Sequence, residues 1–249
     1  MAETSGQKDV VTAAVLVIGD EILSGRTKDK NIGYIADHMT AIGIQLKEVR
    51  VVADDEDDIV AAINALRKRW DYLFTTGGIG PTHDDITADC VAKAMGVPIG
   101  HHPEAVAMLE ENWKKRGVEA TPARMRMARV PEGGMLIRNS VSVAPGFMIG
   151  NVITMAGIPS VMQVMLDDAT QYLKTGKKMS SVTIDCGLPE GVVADMFGAH
   201  QKLFPDVPMG SYPIMRDNKP TTQLVLRSTD PARLAEAEAG LRAKLAGMT

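Results

Sequence analysis

The sequence predicts an α/β protein, a mostly parallel sheet with helices on both faces, followed by a small α+β domain. Three observations carry that prediction. Short, β-branched apolar runs at residues 13–18, 46–52 and 72–76 alternate with stretches whose apolar residues recur at helical spacing. Strand, helix, strand, helix, strand in that order implies parallel pairing, with ligands at the carboxyl ends of the strands. From Lys177 onward the pattern becomes strand, helix, two strands and helix, and the parallel alternation does not return.

The run at 13–18 is continuous, as expected of a strand buried on both faces, and it ends in Gly19-Asp20-Glu21-Ile22-Leu23-Ser24-Gly25. Ile32, Ile35, Ala36 and Met39 then share a helical face, with Asn31 as the expected N-cap and Gly43 as the stop. A second strand over 46–52 runs into Asp54-Asp55-Glu56-Asp57-Asp58, acids that suit the start of a helix over 58–70. The third strand, 72–76, leads into Gly77-Gly78-Ile79-Gly80-Pro81-Thr82-His83-Asp84-Asp85-Ile86-Thr87 and a helix over 88–95.

This last turn carries the most chemistry. Three glycines in four residues leave amide N–H groups uncovered, and a following helix start adds partial positive charge, which together suit a phosphate. Thr76, Gly77, Gly78, Gly80 and Thr82 are the candidate phosphate-binding residues. Asp84 and Asp85 fit beside a phosphate only if a divalent cation stands between them; otherwise they cap the next helix. Asp20, Asp54 and Asp85 each follow a strand end, where parallel sheets place ligands.

Helices are expected over 103–116 and 122–128, strands over 135–137, 147–149 and 152–155, and a helix running to 173. Arg124, Arg126 and Arg129 either reach phosphates or form a solvated face. His101 and His102 lack partners at metal-ligand spacing and suit a loop and helix start. Ala156-Gly157-Ile158-Pro159-Ser160 is a second strand–glycine–helix junction, where Gly157 and Ser160 are expected to face another anionic group, Ser160 capping the helix. In the tail, strands over 180–186, 209–216 and 221–228, the last two joined by the turn Asp217-Asn218-Lys219-Pro220, accompany helices over 190–204 and 231–245. The expected domains are thus 12–176 and 177–249, after a disordered segment over 1–11.

Composition excludes several classes. No apolar run approaches the roughly 20 residues of a spanning helix, and the first nine residues lack a signal-peptide pattern, so a cytoplasmic protein with no membrane partner is expected. A net charge of −4 with only 4% aromatic residues argues against a nucleic-acid surface, so any phosphate is recruited locally. Cys90 and Cys186 are far apart and suit buried apolar positions.

The glycine loop, with Gly19-Asp20-Glu21-Ile22-Leu23-Ser24-Gly25 and Asn31 upstream and Ala144-Pro145-Gly146-Phe147 downstream, resembles the MoaB/Mog-type molybdopterin-binding domain in its CinA (competence/damage-inducible) form. The resemblance covers about residues 12–173. Gly210-Ser211-Tyr212-Pro213 looks like the segment that follows this domain in CinA proteins and in eukaryotic FAD synthases. The resemblance implies a three-layer αβα sandwich that binds a nucleotide or pterin phosphate. CinA-type members carry a metal-dependent pyrophosphatase activity on ADP-ribose, the FAD synthase domain is associated with FAD hydrolysis, and molybdenum cofactor members adenylylate molybdopterin with Mg-ATP. By the same resemblance Asp85 is the metal or catalytic residue, and Asp20 and Asp54 match the other acidic positions, with Mg²⁺ or another divalent ion at Asp85 and Asp20. A pyrophosphatase is the first expectation; adenylyl transfer, with molybdopterin as ligand, and non-catalytic binding are the alternatives. The family tends to form homo-oligomers, dimers or trimers. Two departures fall in the second half of the pocket. Met155-Ala156-Gly157-Ile158-Pro159 replaces the family's usual Leu-Pro-Gly-Val-Pro, and Ser142-Val143 replaces Gly-Thr.

Overall fold

A computed structural model describes residues 8–248, and the chain divides between Gly176 and Lys177 into two compact units. Residues 1–7, on which most of the expected disorder falls, lie outside the described residues, and Val11 already belongs to a strand.

The first unit opens with β1 (Val11–Ile18), the one-turn α1 (Asp20–Leu23), α2 (Asn31–Ile42), β2 (Ile44–Val52), α3 (Glu56–Arg69) and β3 (Tyr72–Thr76). It continues with α4 (Thr87–Met95), β4 (Ile99–His101), α5 (Pro103–Arg116), α6 (Pro122–Met125), β5 (Arg129–Pro131), β6 (Met135–Ile137), β7 (Gly146–Ile149), β8 (Val152–Met155) and α7 (Pro159–Thr170). Six strands form one sheet in the order β2-β1-β3-β8-β7-β6. β2, β1, β3 and β8 run parallel, while β7 and β6 pair antiparallel at one edge.

Strand β1 shows why the sheet is buried on both faces. Ala14, Leu16 and Ile18 pack with Ile63, Cys90 and Leu109 of α3, α4 and α5, whereas Ala13, Val15 and Val17 pack with Ile35, Met39 and Met165 of α2 and α7. The period-two alternation of a strand therefore feeds two separate cores, giving the three-layer αβα sandwich. Burial pushes the Cys90 thiol up to about 12, consistent with a packing residue and not a nucleophile.

The connection β1–α2–β2 crosses one face and β2–α3–β3 the other, so the chain leaves β1 and β3 in opposite directions. That reversal is the topological switch point of a doubly wound sheet, and it opens a crevice at the carboxyl ends of β1 and β3.

Two short strands, β4 and β5, were not expected. Each has three residues, with Gly100 in the middle of β4 and Pro131 at the end of β5, so no alternation marks them. Asn31 is not the N-cap of α2. That position is Lys30, and the Asp29 carboxylate accepts from Ile32 N–H at 2.8 Å, which leaves Asn31 for another task.

The loop between β6 and β7 is strained. Val143 sits at φ 70°, a region that a β-branched residue enters at a cost of about 1–2 kcal/mol. Asn139 enforces it: its Oδ1 accepts from Val141 N and Ser142 N, and its Nδ2 donates to Ser142 Oγ and Ala144 O. Val143→Gly is expected to stabilise the protein by roughly 0.5–1 kcal/mol after the extra chain entropy of glycine is offset. Denaturant titration at constant m-value checks this, and an unchanged or lower midpoint would show that the loop stores no strain.

The second unit comprises β9 (Ser180–Asp185), α8 (Glu190–Leu203), β10 (Met209–Arg216), β11 (Lys219–Ser228) and α9 (Pro231–Ala246), with an antiparallel sheet in the order β10-β11-β9. Val193, Phe197, Leu224, Leu226 and Leu241 build its own core. The hairpin is tighter than the sequence suggested: Asp217 and Asn218, at φ 49° and 58°, make a two-residue turn of the kind that matches strand twist, and Lys219 and Pro220 join β11. Pro213 lies in the edge strand β10, where proline is tolerated in a sheet.

Candidate functional site

The crevice at the switch point holds a cavity of about 540 Å³. Its floor is the glycine loop after β3. Gly77 has φ 104°, and a Cβ there would stand 2.1 Å from the Ile18 carbonyl oxygen, so β1 and β3 can converge only with glycine at this position. Gly77 N–H donates to Met155 O, and a side chain at Gly157 would press on Gly77 Cα at 3.3 Å. The two glycine turns, far apart in sequence, therefore abut.

Thr87 secures the loop from the helix side. Its hydroxyl donates to Gly77 O at 2.9 Å and its amide to Gly78 O at 3.0 Å, so the first amide of α4 holds the loop and is not offered to an anion. Beyond the glycines, Asp85 Oδ2 accepts from Thr82 N at 2.8 Å and from Thr82 Oγ1 at 2.5 Å, closing a small ring. A Cβ at Gly80 would meet Asp85 Oδ2 at 2.6 Å, so the carboxylate lies over Gly80. Thr82 thus serves Asp85.

Of the three arginines after α5, Arg129 pairs bidentately with Asp89 and Arg124 donates to Glu119 O. Arg126 is different: its Nη2 donates to Asp85 O at 3.0 Å, while its buried Nε has no protein partner. It braces the acidic loop from behind.

Four carboxylates, Glu21, Asp54, Asp84 and Asp85, line the cavity, and no lysine or arginine is among its lining residues. The opposite wall is apolar, with Met127, Ala144, Ile158, Val161 and Met165. Asp20 is exposed and absent from the lining; its N–H donates to Asp54 Oδ2 at 2.9 Å, so its backbone serves the site. Ser160 is also exposed and outside the lining. It does not cap α7, because Pro159 already occupies the first turn and the N-cap is Ile158. Gly157 does line the cavity. Glu21, beside Asp20, carries no signal in the sequence other than its position just past a strand end.

Burial is the main reason that the Asp54 carboxyl titrates above its ordinary range, and the charges of Asp20, Glu21 and Asp84 add to it against the Asp20 N–H. A carboxyl with a raised folded-state pKa favours the fold below the unfolded pKa and loses that contribution as pH rises through the folded one. Asp54→Asn keeps an acceptor for Asp20 N–H and removes the charge. It is expected to raise Tm at pH 7 by about 1–3 °C, with the gain vanishing below about pH 4. An equal effect at both pH values would assign it to packing instead of charge.

Among the described residues, no three carboxylate, imidazole or thiol groups are placed to hold a metal ion by themselves. No helix among them is long and apolar enough to cross a membrane.

A doubly wound α/β domain with a glycine loop and an acid-lined cavity at its switch point is the class that fold and site define. The chain belongs to the family described as "Probable molybdopterin binding domain", whose model matches residues 14–175, and residues 178–249 match the "FAD synthase, middle domain". It is 31% identical over 210 residues to a protein of Pyrobaculum arsenaticum, covering 81% of this chain and 79% of that one. It is 35% identical over 158 residues to a CinA-like protein of Anaeromyxobacter dehalogenans, covering 62% of this chain and 39% of the relative. A crystal structure of CinA from Thermoplasma acidophilum, a protein of unknown function, superposes with a TM-score of 0.61 at 34% identity, over 66% of this chain and 99% of that one. The MoaB/Mog-type resemblance in its CinA form therefore holds.

Proposed function

We propose that the first unit hydrolyses the pyrophosphate of an ADP-ribose-like or FAD-like dinucleotide with the help of a divalent cation. The observation that carries this reading is the pairing of a glycine loop with four carboxylates and no cationic side chain in one cavity. A bare pyrophosphate would be repelled there. Asp54, whose ionised form is disfavoured by burial and by like charges, fits a cation as neighbour. Mg²⁺ is commonly held by one or two carboxylates together with the ligand's own phosphates, which suits a cavity without a ready-made three-ligand cage.

In this reading Asp85 and Asp54 hold the ion, and Glu21 and Asp84 add negative potential. Asp20 takes a different part from the ligand role that the resemblance assigns: its amide fixes the Asp54 carboxylate. When bound, such an ion polarises a phosphoryl oxygen and offsets the charge that develops on it. The chain's own contribution is positioning. Thr82 orients Asp85, Arg126 braces the loop through the Asp85 carbonyl, and the Gly77–Gly80 backbone brings the phosphates close. The apolar wall of Met127, Ile158 and Met165 suits a planar ring system.

The test is a product assay with ADP-ribose, FAD and ATP, each with Mg²⁺, Mn²⁺ or Co²⁺. AMP release from ADP-ribose or FAD that requires the metal supports the reading. No release from either, with transfer of AMP from ATP to molybdopterin, would replace it with the adenylyltransferase alternative.

A further inference from the structure

The loop that joins β6 to β7 gives the acidic cavity a hydrogen-bond donor. Ser142 and Ala144 line the cavity, and Val143 between them does not. Among the described residues, the lining carries two hydroxyl side chains, Thr27 and Ser142; its other polar side chains are the four carboxylates, which when ionised only accept. Ser142 is the hydroxyl that the fold holds in place.

Asn139 does the holding. It is 3% exposed, and its Oδ1 accepts from Val141 N at 2.8 Å and Ser142 N at 3.2 Å, which fixes the amide the right way round. Nδ2 is then the donor, to Ser142 Oγ at 2.6 Å and to Ala144 O at 3.1 Å. Ser142 Oγ is therefore an acceptor toward Asn139, and its own proton is free for a partner elsewhere. The residue is exposed, so that proton can be reached from the cavity. Val143 marks what the arrangement costs. A β-branched residue stays at φ 70° only where its surroundings over-determine it, and backbone of this kind gathers at ligand clamps. The resembled domain usually has Gly-Thr at these two positions, so a hydroxyl at 142 is a feature of this chain's own sequence.

Ser142 sits on the same loop as Ala144, which belongs to the apolar wall, and that wall stands opposite the acids. We infer that Ser142 donates to an acceptor on the edge of the ligand's planar ring, a ring nitrogen or carbonyl oxygen, and so is a specificity-determining residue for the base. The inference rests on the pyrophosphatase reading above and adds a contact that recognises the ring and not the phosphates. A solvated hydroxyl that merely shapes the loop is the competing account, and it predicts no ligand-selective effect.

Calorimetric titration of the full chain with ADP-ribose and with inorganic pyrophosphate, both in Mg²⁺, separates these cases. Ser142→Ala is expected to weaken ADP-ribose about fivefold while leaving pyrophosphate within about twofold. The variant leaves Asn139 Nδ2 its bond to Ala144 O, so it should melt within about 2 °C of wild type. Equal losses for both ligands, or no loss for either, overturn the inference while metal-dependent AMP release by the wild type keeps the pyrophosphatase reading standing. Failure of the wild type to bind ADP-ribose removes that reading, and the inference with it.

Discussion

Asp85→Asn is expected to lower kcat/KM for ADP-ribose hydrolysis by about 10²–10³-fold or more while leaving the fold intact. The two halves of that expectation have separate physical sources. The fold survives because the loop uses one carboxyl oxygen, Oδ2, as acceptor from Thr82 N and Thr82 Oγ1, and an asparagine can supply one acceptor in the same place. Activity falls because the amide carries no charge for a cation and offers a poorer ligand on its other atom. The variant's Tm should lie within about 2 °C of wild type in metal-free buffer, and its stabilisation by Mg²⁺ or Mn²⁺ should be reduced. Unchanged turnover in a folded variant would remove Asp85 from the chemistry and leave Thr82, Gly80 and Asp85 as a purely structural turn.

Gly77→Ala is expected to have the largest effect on stability, about 3–5 kcal/mol, or roughly 10 °C in the melting of the first unit. Two costs coincide. A φ of 104° is left-handed territory that an L-residue rarely adopts, and the new methyl would lie 2.1 Å from a main-chain oxygen of β1. No rotamer relieves such a contact, because Ile18 O belongs to the backbone of β1, an interior strand paired on both sides. Relief would require β1 and β3 to separate, breaking the register Val17↔Thr76 that ends their pairing. Scanning calorimetry checks the magnitude, and a loss below about 1 kcal/mol would show that the loop can yield without disturbing the sheet.

How far the site was legible in the sequence differs from residue to residue. Gly77, Gly78 and Gly80 announced themselves, because only a position needing positive φ or close backbone approach concentrates glycine between a strand and a helix. Asp54 and Asp85 were legible as acids just past strand ends, and both line the cavity. Asp20 had the same local signal but turns outward, and Glu21 takes the place beside Asp54. The one-turn helix α1 decides between these neighbours, since adjacent helical positions point about 100° apart and nothing in the local sequence says which faces the crevice. Asn31 carries the local signature of a cap, a role set by neighbouring residues alone. Its bond to Gly157 spans 126 positions and no local pattern carries it.

The sequence by itself determined the α/β class, the alternation that buries β1 on both faces, and the glycine loop after β3, because each follows from interactions among residues a few positions apart. It also carried the family resemblance that the family match and the CinA superposition bear out. Only the tertiary structure decided which acids share a cavity, that Thr82 is bonded to Asp85, and that the buried Asn31 Oδ1 and Thr76 Oγ1 are left without a hydrogen-bond partner in the protein. Those facts depend on how separate strand ends converge at the switch point, and convergence is set by the packing of both helical layers against the sheet, a property of the whole domain that no short stretch contains.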